Sequence, residues 1–183
     1  MTKTRYALVQ RLLHWLIALI VFGLLAVGFT FLALQYEGTV ERFGNDATNA
    51  LYTYHKSFGV LLLGLMILRL GLRGLMPAPP YDPPIGRLER VVGGGVHVLF
   101  YVLLIAMPVV GWLATAAGGY PVQFFAAELP GLIGKNEALS ETLFELHGLG
   151  GFVLLGLIVL HVGAALMHKV VKKDKVMHRM SLP

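Results

Sequence analysis

The chain of 183 residues contains no cysteine. Disulfides, thiolate metal sites and covalent C-x-x-C-H cofactor attachment are therefore excluded. Charge is scarce too: 14% of residues are charged against 56% hydrophobic, a balance too apolar for an ordinary soluble domain. Acids are the scarcer sign, ten against fifteen bases, which leaves a formal charge of +5. The bases lie between apolar runs rather than on one soluble basic face, so no nucleic-acid partner is expected and they read as topology signals. No soluble-type repeat is visible, and a single domain over 1–183 is expected.

What the chain has in abundance is long apolar runs, at about 12–34, 51–72, 92–116 and 146–168. Each is close to the roughly 20 helical residues that cross a hydrocarbon core of about 30 Å. The first follows Lys3, Arg5 and Arg11 as a signal peptide would, but it is too long for an h-region and no clear small-residue cleavage site follows. The expected fold is all-α: an integral-membrane four-helix bundle surrounded by lipid. If the N-terminus starts inside, twelve of the fifteen basic residues fall on inner segments and only Arg42, Lys56 and Lys135 fall outside. That bias places both termini in the cytoplasm.

Between the second and third runs, "MPAPPYDPPIGRLERVVGGG" carries five prolines and predicts a stiff inner connector, a spacer rather than a binding segment. The outer loop 118–141 contains "PVQFFAAELPGLIG", apolar enough to lie in the interface or cap the bundle. Pro108 falls inside the third run and is expected to bend it.

Histidine carries the chemistry. An intramembrane imidazole is costly enough to mark a functional site by default. His147 and His161 share the fourth run, fourteen residues apart. On an ideal helix that is a rise of about 21 Å with the side chains only about 40° apart. They face one way near opposite sides of the bilayer, so they belong to two stacked sites. Depth supplies their partners: His14 with His161 near the inner surface, and His55 with His147 near the outer one. Two axial imidazoles without carboxylate or thiolate suit a six-coordinate haem iron. Zinc asks for three or four protein ligands, and membrane di-iron sites for more histidines at short spacing. A flat macrocycle needs room, and the residue one turn beyond each histidine is small: Ala18, Gly59, Gly151 and Ala165.

His168 rivals His161, seven residues away on the same face, but His161 lies deeper and is preferred. His168 and His178 read as members of a solvated basic tail. His97 is a candidate for hydrogen bonding to a haem propionate or a quinone, beside a plain structural role. Arg11, Lys56 and Arg69 are candidate propionate partners, and each is equally readable as an interfacial snorkelling residue; Arg73 approaches the same inner surface.

The segments "LLHWLIALIVFGLLAVG", "YHKSFGVLLLGLMILRLGLR", "LHGLGGFVLLGLIVLHVGAALMHK" and "KKDKVMHRM" resemble the bacterial cytochrome b561 family, four-helix cytochromes of the bacterial inner membrane with two haem b groups. The resemblance covers nearly the whole chain. It implies His14, His55, His147 and His161 as axial ligands of the haem irons, agreeing with the depth pairing. It also implies exchange of electrons with ubiquinone or ubiquinol and, in some members, oxidation of superoxide, which would make the chain a superoxide:ubiquinone oxidoreductase. His97, Tyr101 and Arg69 are candidates near a quinone. Two rivals stand beside this reading. The wider superfamily includes cytochrome b subunits of hydrogenase and dehydrogenase complexes, but only four spans are evident, with no extra helix to dock a large protein partner. A histidine-lined metal transporter would need inverted repeats or paired broken helices, and neither is visible.

Overall fold

The computed structural model describes residues 4–182; Lys3, one of the bases used for topology, lies outside them. Four long helices make the molecule: α1 (Leu8–Phe43), α2 (Asn45–Leu75), α3 (Arg87–Ala117) and α4 (Glu137–Met167). All four are long and apolar enough to cross a membrane. The all-α four-helix membrane bundle expected from the sequence is what the chain forms. α1 packs on α2, α2 on α3 and α3 on α4, with a slighter α1–α4 contact, so α2 and α4 stand diagonally opposite.

Each helix outlasts its apolar run, because hydropathy marks the stretch in hydrocarbon whereas a helix continues wherever its end groups find partners. α4 starts nine residues before its run, where the Asn136 side chain accepts from the Leu139 amide at 3.1 Å. α1 starts with the Gln10 side chain reaching back to the Ala7 amide. Its apolar part ends where the run ends. Gln35 takes a left-handed backbone (φ 54°) and interrupts the helix, which resumes to Phe43 before Gly44 (φ 82°) turns directly into α2. α3 passes through Pro108 as one helix, and it starts at Arg87, so the irregular proline-rich connector is shorter than its sequence suggests.

The buried core is small and central: Leu13, Ile17 and Val21 of α1, Leu62 and Met66 of α2, Leu104 of α3 and Leu154 of α4. Most other large apolar side chains point outward, with Leu19 71% exposed and Leu160 63%. In water that surface would be prohibitive; in lipid it is the solvated face.

The two ends of the bundle are closed differently. At one end a two-stranded hairpin, β1 (Val122–Phe124) with β2 (Ala127–Leu129), docks on α2. The fully buried Ser57 hydroxyl donates to the Thr53 carbonyl at 2.7 Å and accepts from the Phe125 amide at 2.7 Å. Lys56 adds its ammonium to the Pro121 carbonyl. The loop 118–141 thus caps the bundle, as its apolar character suggested.

The other end carries the basic residues. There α4 runs into a wide π turn (His168–Lys172), Lys173 adopts a left-handed backbone (φ 53°), and a 3₁₀ turn (Met177–Met180) folds back beneath α1. Trp15 donates its indole N–H to the Met180 carbonyl and Arg11 donates to the Ser181 carbonyl. Arg179 is buried: it donates to the Pro79 carbonyl and stacks on the Tyr81 ring at 3.8 Å. The expectation of a solvated tail is corrected for His168, which is 7% exposed and bound through Nδ1 to Asp174 at 2.6 Å. Asp174 sits six residues on, brought back by the left-handed Lys173. Burial works against the charge of Asp174, but the hydrogen bonds from His168 and from the Val176 amide prevail and hold its carboxyl below the usual carboxylate range.

Arg179→Ala is expected to release this segment from the connector, costing roughly 1–3 kcal/mol. Limited trypsin digestion in detergent checks it. Cleavage after Lys173 or Lys175 should accelerate in the variant; unchanged cleavage would show that Arg179 does not hold the segment.

Candidate functional site: two facing imidazole pairs

α1 and α4 bring His14 and His161 together with ring centroids 6.2 Å apart and ring planes at 72°. At the hairpin end α2 and α4 do the same with His55 and His147, again at 6.2 Å and at 74°. One helix supplies a member of each pair, and the central core separates them. His161, not His168, faces His14.

The spacing has a chemical meaning. A metal–imidazole nitrogen bond of about 2.0–2.1 Å, with the ring centre about 1.1 Å behind the nitrogen, puts two imidazoles on opposite sides of one metal about 6 Å apart. Two histidines do not complete a site for a bare ion, and no group of three or more His, Cys, Asp or Glu that could hold one gathers among the described residues. Iron in a macrocycle needs only the two axial donors.

Four local features fit such a group. Nδ1 of His55 is buried without a hydrogen-bond partner among the described residues, an expensive state for an imidazole with nothing to bind. Gly151, one turn past His147, is buried, yet a Cβ placed on it would touch nothing within 4 Å. At the hairpin end Gly111 leaves space for the His147 ring: a Cβ there would lie 3.0 Å from Cε1 and 3.2 Å from Nδ1. On the other side a Cβ on Gly28 would lie 3.4 Å from Cε1 of His55.

Each pair is framed by aromatic rings. Trp15 lies 5.3 Å from His14; Phe100 and His97 each lie 5.4 Å from His161. Phe31, stacked on Tyr52 at 3.9 Å, meets His55 edge-on at 5.8 Å. His147 donates Nδ1–H to the Met107 carbonyl at 3.1 Å, which fixes its tautomer and leaves Nε2 free as a donor to metal. His97 gives its Nδ1 proton to the Gly93 carbonyl at 2.6 Å and packs by its ring against His161. Arg69 is held by the Gln10 carbonyl at 3.3 Å, with its other nitrogen 3.4 Å from Nδ1 of His14. Arg11 and Lys56 are occupied by the Ser181 and Pro121 carbonyls at opposite ends. Tyr101 packs beside the central core.

Sequence reasoning missed Gly28, Gly111 and the Met107 carbonyl. Isolated glycines in membrane helices do signal close approach, but nothing in a sequence says that what approaches is an imidazole.

Two facing imidazole pairs within four apolar helices fit a membrane cytochrome of the b type, a class in which haem is held by coordination and packing rather than by covalent attachment. The comparisons agree. The chain matches the prokaryotic cytochrome b561 family over residues 5–181 and belongs to it. It is 29% identical to cytochrome b561 homolog 2 of Escherichia coli (strain K12) over 181 residues, 98% of this chain and 92% of that one. It is 24% identical to cytochrome b561 homolog 1 of the same organism, covering 96% of each chain. It is 28% identical to "Probable superoxide oxidase CybB" of Yersinia pestis, covering 96% of this chain and 95% of that one. The chain is thus a multi-pass bacterial membrane protein of electron transfer, and the family implies haem b as its cofactor.

Gly111→Val should drive side-chain methyls into His147 and cost roughly 1–3 kcal/mol through overpacking. Thermal unfolding in detergent measures it against Gly23→Val, where a Cβ meets nothing within 4 Å. Equal melting of the two variants would show that the His147 ring can give way freely.

Proposed function

We propose that the chain is a dihaem b-type cytochrome, with His14 and His161 ligating one haem b and His55 and His147 the other. It carries electrons across the inner membrane between an outer-face donor and the quinone pool, and its residues 1–183 act as one domain. The carrying observation is the repeated 6.2 Å spacing of two imidazole pairs in one bundle. When bound, haem b would be held by the two histidines of each pair and would supply a reversible one-electron couple there.

The chain's own residues set the conditions. Leu154, between His147 and His161 on α4, joins Leu62, Met66 and Leu104 in a dry partition that keeps water and protons from crossing between the sites. His147 is held in one tautomer by Met107. At the basic end the folded-back segment 173–182 covers α1 beside His14, and Arg69 stands 3.4 Å from Nδ1 of that ring. His97, Tyr101 and Arg69 are the candidate residues near a quinone head group.

With twelve bases to three, the basic end is the cytoplasmic one, both termini lie there, and His55–His147 faces outward. A donor on that side must react without binding iron, which suits a small one-electron reductant. Superoxide has that chemistry, and the relative named a superoxide oxidase supports it. Arg42, Lys56 and Lys135 offer local positive charge to an anion on an otherwise acidic face. Ubiquinone is the proposed acceptor.

A pyridine haemochrome assay on fully loaded protein is expected to give two acid-acetone-extractable haems per chain. His161→Ala should lose the basic-end haem alone and His147→Ala the hairpin-end haem alone, while His97→Ala and His168→Ala keep both low-spin spectra. One haem in the parent protein, or a haem lost with His168→Ala and kept with His161→Ala, would break the assignment.

Superoxide generated around the purified protein is expected to reduce its haems, and added ubiquinone to reoxidise them. Haems left oxidised by superoxide would remove the donor. Reduced haems indifferent to both quinone and quinol would remove the quinone link.

A further inference from the structure

The two imidazole pairs match in spacing and tilt, yet their surroundings differ in sign. At the hairpin end His147 donates Nδ1–H to the Met107 carbonyl. An axial imidazole that gives its proton to a carbonyl becomes a more basic ligand, which favours the ferric state. Lys56 follows His55 in the chain, but its ammonium reaches out to the Pro121 carbonyl of the hairpin, and no guanidinium or ammonium is hydrogen-bonded to His55 or His147 among the described residues. At the basic end neither His14 nor His161 has a carbonyl acceptor among the described contacts; His161 meets only the rings of His14, His97 and Phe100. What stands beside His14 is the Arg69 guanidinium. An imidazole bound to iron through Nε2 keeps its proton on Nδ1, so Arg69 then acts on His14 as a fixed positive charge rather than as a donor. The Gln10 carbonyl holds Arg69 in place, and Gln10 is itself buried and tied to the Leu72 and Met76 carbonyls. Reduction adds one electron to the iron and neither forms nor breaks a bond, so a fixed cation nearby favours the ferrous state directly.

We propose that Arg69 is a positioning residue that raises the electron affinity of the basic-end haem. Together with the Met107 carbonyl at the opposite site, it makes a half-reduced chain hold its electron at the basic end. This rests on the dihaem reading above and adds to it a direction, downhill from the hairpin end toward the basic end. It also gives Arg69 a role that propionate binding or snorkelling alone would not.

The test is spectroelectrochemical measurement of both midpoints in the intact holoprotein, with His147→Ala and His161→Ala used to assign each midpoint to its site. The basic-end midpoint is expected to lie above the hairpin-end one. Arg69→Gln should lower it so that the electron distribution shifts on the order of tenfold toward the hairpin end, about 59 mV for one electron. The hairpin-end midpoint should stay where it was, and Arg69→Lys should retain most of the parent value. A hairpin-end haem that titrates above the basic-end one, or Arg69→Gln moving neither midpoint or both equally, would overturn the inference and leave the dihaem reading intact. If Arg69→Gln cannot hold its basic-end haem, the order of the two assigned midpoints in the parent protein decides. Fewer than two haems in the loaded parent would overturn the dihaem reading itself, and is seen before any midpoint is measured.

Discussion

An imidazole at membrane depth must find its partner inside the protein, because hydrocarbon offers neither hydrogen bonds nor charge compensation. This chain meets that demand four times with one arrangement, a ring on one helix facing a ring on another. The demand reaches into the bundle around it. α4 must present the same face at two depths, which fixes its rotation. α1 and α2 must each bring one ring to it, and α2 must do so from diagonally opposite, which keeps the centre from collapsing into ordinary helix packing. Gly28, Gly111 and Gly151 are small where the pairs need space, and the apolar contacts are concentrated between the levels rather than at them.

This also explains how much could be read from the sequence. Membrane spans and intramembrane histidines are legible because each follows from one-dimensional arithmetic: about 1.5 Å of rise per residue and about 100° of turn. The pairing of His14 with His161 and of His55 with His147 follows from depth alone, and the rings stand where that arithmetic puts them. Contacts created by a change of direction are not legible in that way. The hairpin over α2 depends on Ser57 meeting the Phe125 amide, and nothing in "PVQFFAAELPG" announces a strand pair. The burial of His168 depends on Lys173 adopting a left-handed backbone, which a run of lysines does not advertise. Hydropathy placed the end of the first span at the residue before Gln35, where the helix breaks, but it could not show that helix resumes beyond the break.

The two ends also differ in how they are held. The hairpin end is closed by the Ser57 hydroxyl and the Lys56 ammonium, which bond to the hairpin backbone across 65 to 68 residues of chain. The basic end is closed by longer-range contacts: Arg5 to His178, Arg11 to Ser181, Trp15 to Met180 and Lys172 to Glu89. Such contacts cost more chain entropy to close than local ones. They bind the first helix, the start of α3 and the segment after α4 into one layer at the end that carries Arg69.

The buried Arg179 sets the order of assembly. Its partners, the Pro79 carbonyl and the Tyr6 and Tyr81 rings, are all synthesised long before it. A growing chain can therefore place its first three helices and still have an open floor, which closes only after the fourth has entered the bilayer. Until then the basic-end pair is also half made, since His161 arrives with that last helix. The last helix to be made therefore both completes the basic-end pair and carries in the arginine that fastens the layer beneath it.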